Sequence, residues 1–439
     1  MVPKETKATL DKLVALCKRK GFIFPSAEIY GGVNGIYDTG PLGVLLKRNI
    51  KTFWLNSLKN KLGKVVEIDG ALIGPRAMWE ASGHIENFHD PMIDCLNCKK
   101  RFRVDDDNID INKPCPSCGK KEWTEIRQFN MMFKTNLGAT ADQATEAYLR
   151  PETAQAVFVN FKNVMSTSRV KIPFGIAQIG KSFRNEITPK QFLFRMREFE
   201  QMELEWFCKE EDARNHFDCW INKRMDFYKS LGLDQSRMRL RPHEANELAH
   251  YSTICTDVEY HFPFGWKELE GIAHRGCFDL SQHMKYSKKD LSVYDEETKE
   301  SFIPNVVESS VGVDRLFLTI LFDSYDEDEA DGEIRTVLRF NPKIAPIKAA
   351  VLPLSKKLSP QAEKLFEAIE QAGIETDFDE SGSIGKRYRR QDEIGTPFCI
   401  TYDFESDQDN SVTIRDRDSM KQERISIDKV IPYLQNILK

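Results

Sequence analysis

The stretch from Ile176 to Phe207 constrains the fold more than any other part of the chain. It reads as two β-strands joined by a charged loop, with Thr188-Pro189 breaking the pattern where a hairpin turns. Period-two spacing puts Ser182, Arg184 and Glu186 on one face of the first strand and Phe183 on the other. In the second strand Phe199, Gln201, Glu203 and Glu205 share a face, and Met202, Leu204 and Trp206 take the opposite one. The polar face mixes an arginine fork, carboxylates and an aromatic ring, groups that suit phosphate, amine and base. A solvated hairpin laced with ion pairs is the plain alternative.

At 439 residues the chain is too long for one core, and two or three domains are expected. Charged residues at 30% and hydrophobic residues at 41% describe a soluble globular protein, and no apolar run is long enough to span a bilayer. Around Leu10–Lys20 the pattern is an amphipathic helix, not the uninterrupted apolar core of a signal peptide. A net charge of −5 neither suggests nor excludes nucleic acid, so any binder must concentrate its basic residues locally.

The ten cysteines include two C-x-x-C pairs, which favours a reducing cytoplasm and a metal site over a disulfide framework. Those pairs, Cys95/Cys98 and Cys115/Cys118, lie in a segment over 84–128 that reads as an insertion. They match a zinc ribbon, in which each turn presents two sulfurs to one tetrahedral ion. Four protein ligands leave no open position, so the zinc is expected to be structural.

In chain order, the glycines of Y-G-G-V-N-G-I-Y-D-T-G-P-L-G (30–43) form no dinucleotide or P-loop fingerprint and read as tight turns. Pro41 opens a helix whose apolar stripe runs from Leu42 to Leu62, with Gly63 as its stop, and a strand follows around Val65–Ile73. A helix is expected over 153–163, and residues 208–250 read as helical. His250, His261, His274 and His283 show no metal-ligand spacing. Lys267-Glu268-Leu269-Glu270 places two carboxylates on one strand face, with Glu268 a plausible Mg²⁺ ligand. A strand at Asn305–Ser310 puts Glu308 and Ser310 on one face, and Arg315 opens the apolar helix that follows. The acidic run Asp323–Glu333 reads as a solvated loop. From Lys343 alternating strands and helices predict a separate three-layer α/β domain, giving domains at 1–340 and 341–439. Lys386, Arg387, Arg389 and Arg390, with Arg415 and Arg417, form either a nucleic-acid patch or a solvated helix face.

Three stretches taken together resemble the motifs of class II aminoacyl-tRNA synthetases. The helix and strand ending at Pro75 resemble motif 1, Phe183-Arg184-Asn185-Glu186 through Phe199-Glu200 motif 2, and Gly312-Val313-Asp314-Arg315 motif 3. Further motifs are similar to those of the single-chain, homodimeric glycyl-tRNA synthetases: Y-G-G-V-N-G-I-Y-D, W-E-A-S-G-H (79–84), R-P-E-T-A-Q (150–155), F-R-M-R-E-F-E-Q-M-E and E-S-S-V-G-V-D-R. The last domain resembles the anticodon-binding domain shared by several class II enzymes. The likeness spans nearly the whole chain; Thr39 departs from it, standing where many relatives carry an aromatic residue.

The resemblance implies an α+β fold, an antiparallel sheet flanked by helices, with the zinc-ribbon-like insertion and the C-terminal domain attached. It implies a cytoplasmic homodimer formed through motif 1 that uses ATP, Mg²⁺, glycine and tRNA(Gly), with diadenosine tetraphosphate as a side product. Arg184 and Arg315 are the implied catalytic residues. ATP is implied to contact Arg184, Asn185, Glu186, Phe194, Arg195, Met196, Arg197, Glu198, Phe199, Glu268, Leu269, Gly312, Val313, Asp314 and Arg315. Glycine is implied to contact Arg103, Glu152, Phe199, Glu200, Gln201, Met202, Glu203, Glu308, Ser309, Ser310, Val311 and Gly312. Glu268, with Glu308, is implied to hold Mg²⁺. Synthetases for proline, threonine or serine, and a non-catalytic accessory protein derived from a synthetase, are the competing readings; the joint presence of Arg184, Glu186, Phe199 and Arg315 argues against the last.

Overall fold

The structure is a computed structural model that describes residues 6–59, 61, 63–104, 109–139, 145–249, 251–330 and 332–438. Leu62 and His250, named above, lie outside these residues.

A seven-stranded sheet carries the larger domain. Its strands are β1 (Val65–Ile68), β2 (Phe174–Phe183), β3 (Glu198–Cys208), β4 (Met238–Pro242), β5 (Ile254–Phe262), β6 (Gly265–Gly276) and β7 (Asn305–Gly312). They lie in the order β4-β5-β6-β7-β3-β2-β1, and only the β1–β2 pairing is parallel. The expected hairpin is β2 with β3, in continuous register from Phe174 opposite Phe207 to Phe183 opposite Glu198.

Five helices cover this sheet: α1 (Pro41–Ser57), α2 (Ala154–Ser168), α3 (Glu210–Leu231), α4 (Phe278–Ser287) and α5 (Val313–Ser324). Met202, Leu204 and Trp206 bury one face of β3 in the largest core, beside Trp54 of α1, Trp220 of α3 and Leu316 of α5. The opposite face divides lengthwise. At one end Phe174, Ile176, Phe207 and Val306 pack with Phe158 and Phe161 of α2 and Leu280 of α4. At the other end no helix among the described residues lies over the sheet, and a cleft opens above β3, β6 and β7.

Several expectations need correction. Arg184 and Glu186 lie beyond the end of β2, where the chain folds back so that the Arg184 amide donates to the Arg197 carbonyl at 2.9 Å. α1 stops at Ser57, well before Gly63. Gly63 is needed elsewhere: a Cβ there would stand 2.2 Å from the Pro173 carbonyl oxygen. The strand expected at 65–73 is two strands, since Ile73–Pro75 joins a separate sheet with Glu146–Leu149 and Lys134–Asn136. Helicity from 208 ends at Leu231, where Gly232 adopts φ 89°, and Met238–Pro242 becomes the edge strand β4.

The acidic run is a hairpin, not a loop: Tyr325–Ala330 pairs with Glu333–Leu338, setting Asp328 opposite Arg335. Cations just beyond the run neutralise it, because Arg335 and Arg339 both bind Asp328.

The C-terminal domain is three-layered, as expected. Its five strands order as Thr376–Phe378, Ala349–Pro353, Phe398–Tyr402, Ser411–Asp416 and Gln422–Ser426. Helices Ser359–Gln371 and Ile427–Leu438 build the main core on one face, while Ile384 and Tyr388 cover Ala350, Leu352 and Cys399 on the other. Half of the suspected basic patch is interior. Arg387 donates to the Pro353 and Asp379 carbonyls, Arg415 binds Asp392, and Arg417 donates to the Gly395 and Phe340 carbonyls; all three are buried. Lys386 stays exposed, so only part of that helix offers charge to a partner. No helix among the described residues is long and apolar enough to cross a membrane.

Candidate active site

The cleft has a volume of about 590 Å³. One end is aromatic and cationic. Arg184 stands between two rings, 5.2 Å from the Phe88 centroid and 5.4 Å from that of Phe199, and donates to the Pro151 carbonyl. Arg315 lies 4.4 Å from the Phe194 ring, donates to the Glu268 carbonyl, and sits 3.4 Å from the Glu268 carboxylate. Arg195, Met196 and Glu186 also line this end, and burial raises Glu186 above the usual carboxylate range. A planar π system and a polyanion would each find partners here.

The other end is an acidic pit formed by Glu152, Glu203, Glu308 and Ser310. Glu203 takes the Thr153 amide at 3.0 Å and the Ser310 hydroxyl at 2.7 Å, along with the Thr153 hydroxyl and the Gln201 side-chain amide. Burial first, then the charges of Glu308 and Glu152, push its carboxyl up to about 7 against those donors. Glu308 accepts from Arg275, whose remaining nitrogens bind Asp279 at 2.8 and 2.9 Å. Burial nonetheless leaves Glu308 raised. Burial would raise Glu152 too, but His84, Arg275 and Gln155 outweigh it and hold that carboxylate below the ordinary range. Glu205, opposite Glu308 in the β3–β7 register, is fully buried; burial and Glu308 raise it well above the usual range. Several acids around few cations leave a pocket that attracts an amine.

Strand alternation sorts the remaining expected residues. Phe199, Glu200, Gln201, Leu269, Gly312, Asp314 and Arg103 line the cleft. Met202, Val311 and Val313 point into the core instead, and Ser309 donates to Glu270 on the far face. Asn185 uses its amide on the Met131 carbonyl, Glu198 pairs with Lys181, and Arg197 braces the loop by donating to the Glu186 and Asn34 carbonyls. Those seven lie outside the cleft lining. Asp314 is a strut: it accepts the Glu200 amide at 2.7 Å and binds Lys47 of α1.

The two carboxylates of Glu268 and Glu270 do not share a face. A bulge opposite Val258/Glu259 puts Glu268 on the cleft side with Gly271 and Ala273, while Glu270 binds Arg224 and Tyr228 of α3. Glu308 pairs with Ala273, five residues along β6 from Glu268 and thus about 16 Å away. Glu268, exposed at the cleft, has the oxygen chemistry for the ion, whereas a Glu308 oxygen is already engaged by Arg275.

The four cysteines do converge. Cys95 and Cys118 sulfurs are 3.5 Å apart, those of Cys98 and Cys115 3.8 Å, and all four lie within 4.8 Å of one another. The turns carrying them sit on a three-stranded sheet of His89–Asp94, Arg101–Arg103 and Arg127–Asn130. Four thiols at this spacing fit a structural Zn²⁺.

The sequence reading missed Phe88, Tyr251, His243 and Asp257 in the lining and Gln155, Arg275 and Asp279 behind it. Apart from Arg275 and Asp279, four residues apart, no spacing announces them, because they come from several separate segments. Only the W-E-A-S-G-H and R-P-E-T-A-Q motifs pointed near them.

A largely antiparallel sheet with Arg184 between two rings beside its hairpin, and Arg315 in the first turn of α5, is the arrangement that the resemblance to class II aminoacyl-tRNA synthetases implies. Residues 133–325 match the tRNA synthetase class II core domain (G, H, P, S and T), and residues 348–437 match an anticodon binding domain. The chain is 53% identical to the glycine–tRNA ligase of Caldanaerobacter subterraneus subsp. tengcongensis, over 99% of both chains. It is 51% identical to those of Geobacillus kaustophilus, over 97% of this chain and 98% of the relative, and Acetivibrio thermocellus, over 98% and 99%. The chain belongs to the glycine–tRNA ligase family and is an aminoacyl-tRNA ligase.

Proposed function

We propose that the cleft joins glycine to ATP and then passes the glycyl group to the 3′ end of tRNA(Gly). In the first step a glycine carboxylate oxygen attacks the α-phosphorus and pyrophosphate leaves. Arg184 neutralises the charge that develops on the α-phosphate, and Arg195 and Arg315 take the outer phosphates. Phe199 stacks on adenine, and the Glu186 carboxyl accepts from its amino group. Mg²⁺, held by Glu268, would supply further charge neutralisation on the phosphates. In the second step the terminal ribose hydroxyl attacks the glycyl carbonyl and AMP departs. A second ATP attacking the adenylate phosphorus through its γ-phosphate oxygen would release glycine and give diadenosine tetraphosphate.

The observation that carries this reading is the buried acidic pit. Glycine offers no side chain to grip, so selectivity must come from excluding anything larger. Glu152, Glu203 and Glu308 hold the ammonium, and their oxygens occupy the space a Cβ would need. A methyl pressed against those oxygens would strip their solvation and bring no compensating bond.

Residues 1–340 form the catalytic unit and 341–439 the anticodon-binding unit in this proposal. Exposed Ile29 and Tyr30, 88% and 87% accessible, with Val44 on α1, support a homodimer through the motif 1 region. Four reduced cysteines holding zinc suit a cytoplasmic enzyme. Glycine-dependent exchange of pyrophosphate into ATP, followed by charging of tRNA(Gly), tests the function. Exchange with proline, threonine or serine but not with glycine would sink it.

A further inference from the structure

Glycine's pose is set only by its amine and its carboxylate, so each carboxylate of the pit must be aimed as well as charged. Glu152 is gripped from two sides. Gln155 donates to its Oε1 at 3.0 Å, and the buried His84 ring presents Nε2 at 3.3 Å from its Oε2. Behind the ring, Ser82 Oγ lies 2.8 Å from His84 Nδ1 and 3.3 Å from the Trp79 carbonyl. Trp79 and Phe88 wall the ring at centroid distances of 5.4 and 5.6 Å. Gly83, at φ 79°, makes the turn that brings His84 back over Ser82.

We propose that His84 is a positioning residue, which through Nε2–H holds the Glu152 carboxylate at the angle that receives the ammonium of glycine, with Ser82 fixing the ring. This rests on the acidic-pit reading above. The hydrogen bonding closes in either protonation state. With the proton on Nε2 alone, Nδ1 accepts from the Ser82 hydroxyl. As an imidazolium the ring donates to Ser82, which donates onward to the Trp79 carbonyl. Both arrangements leave a proton on Nε2, 3.3 Å from Glu152 Oε2. Other charged or titratable groups around this network are Asp279 and His283 of α4 and Arg275 of β6. Asp279 and His283 meet it through Gln155, at 3.2 and 2.8 Å, and Arg275 through Asp279. Phe88 also packs on Arg184, so the same wall borders the amine and phosphate ends of the cleft.

The test compares full-length wild type, H84A, H84Q and E152Q by pyrophosphate exchange, with ¹⁵N-histidine spectra of the wild type. H84A is expected to raise the glycine KM about tenfold while the ATP KM stays within about twofold. H84Q, which keeps a donor toward Glu152, recovers most of that loss. The His84 ring resonances, identified by their loss in H84Q, shift when glycine is added without ATP. An H84A that raises both KM values alike, or a His84 signal unmoved by glycine, overturns the proposal. If H84A fails to fold, the wild-type spectrum decides alone. E152Q separates a failure of the pit from a failure of His84. An unchanged glycine KM in E152Q overturns the acidic-pit reading itself, whereas a raised one beside a silent His84 overturns only the positioning role.

Discussion

Glu203 is the residue whose chemistry most directly couples the site to pH. Burial, reinforced by Glu308 and Glu152, raises its carboxyl from 4.5 to about 7 in the folded protein. A raised carboxyl contributes stability fully present below its unfolded pKa of 4.5, and that contribution is lost as pH rises through about 7. An ammonium favours the ionised form, so in the proposed pose glycine displaces the Glu203 proton. The glycine KM is therefore expected to fall as pH rises through about 7 in wild type. In E203Q glycine binds weakly and this pH dependence disappears. A wild-type glycine KM flat across that interval would rule Glu203 out as an ammonium ligand. Glu203 was legible in the sequence because it alternates with Met202 and Leu204 on one strand. Gln155, Arg275 and Asp279 were not, since Gln155 meets the Arg275–Asp279 pair from an element more than a hundred residues away.

At the scale of elements, the cysteine turns and the hairpins tell different stories about legibility. Two C-x-x-C pairs announce their shared site, because a tetrahedral ion requires that spacing whatever surrounds it. One Zn²⁺ per chain is expected by metal analysis, with Cys115→Ser releasing it and loosening the three-stranded sheet of the insertion. Full zinc content in that variant would place the metal elsewhere. The strand pairs β2 and β3 were legible for an equally local reason, a long alternation with one continuous apolar face. Non-local neutralisation was not. The acidic run became a hairpin because Arg335 and Arg339 complete it, and Arg387 of Ile384–Ile394 turned inward because the Pro353 and Asp379 carbonyls lie beneath it. The bulge that parts Glu268 from Glu270 depends on the register of two strands, which neither strand encodes alone.

At the scale of the molecule, the two domains meet through buried charge. Arg335 from the hairpin and Asp392 from the C-terminal domain are both fully buried, 3.3 Å apart, and Arg335 also donates to the Arg417 carbonyl. Arg335→Ala would leave Asp392, among the described residues, with Arg415 and Arg389 to balance it, and is expected to cost about 3 kcal/mol. Calorimetry should show an earlier transition; an unchanged profile would mean that this contact does not couple the domains. In the cleft, the proposed pose has three buried carboxylates holding an ammonium and leaving no space for a Cβ. The ratio of kcat/KM for glycine to that for alanine in pyrophosphate exchange tests it most directly. A methyl forced against charged oxygens for a few kcal/mol predicts a ratio above about a hundred in wild type. Glycine and alanine activated within about tenfold of each other would contradict it, because one methylene in an ordinary apolar pocket already discriminates that much.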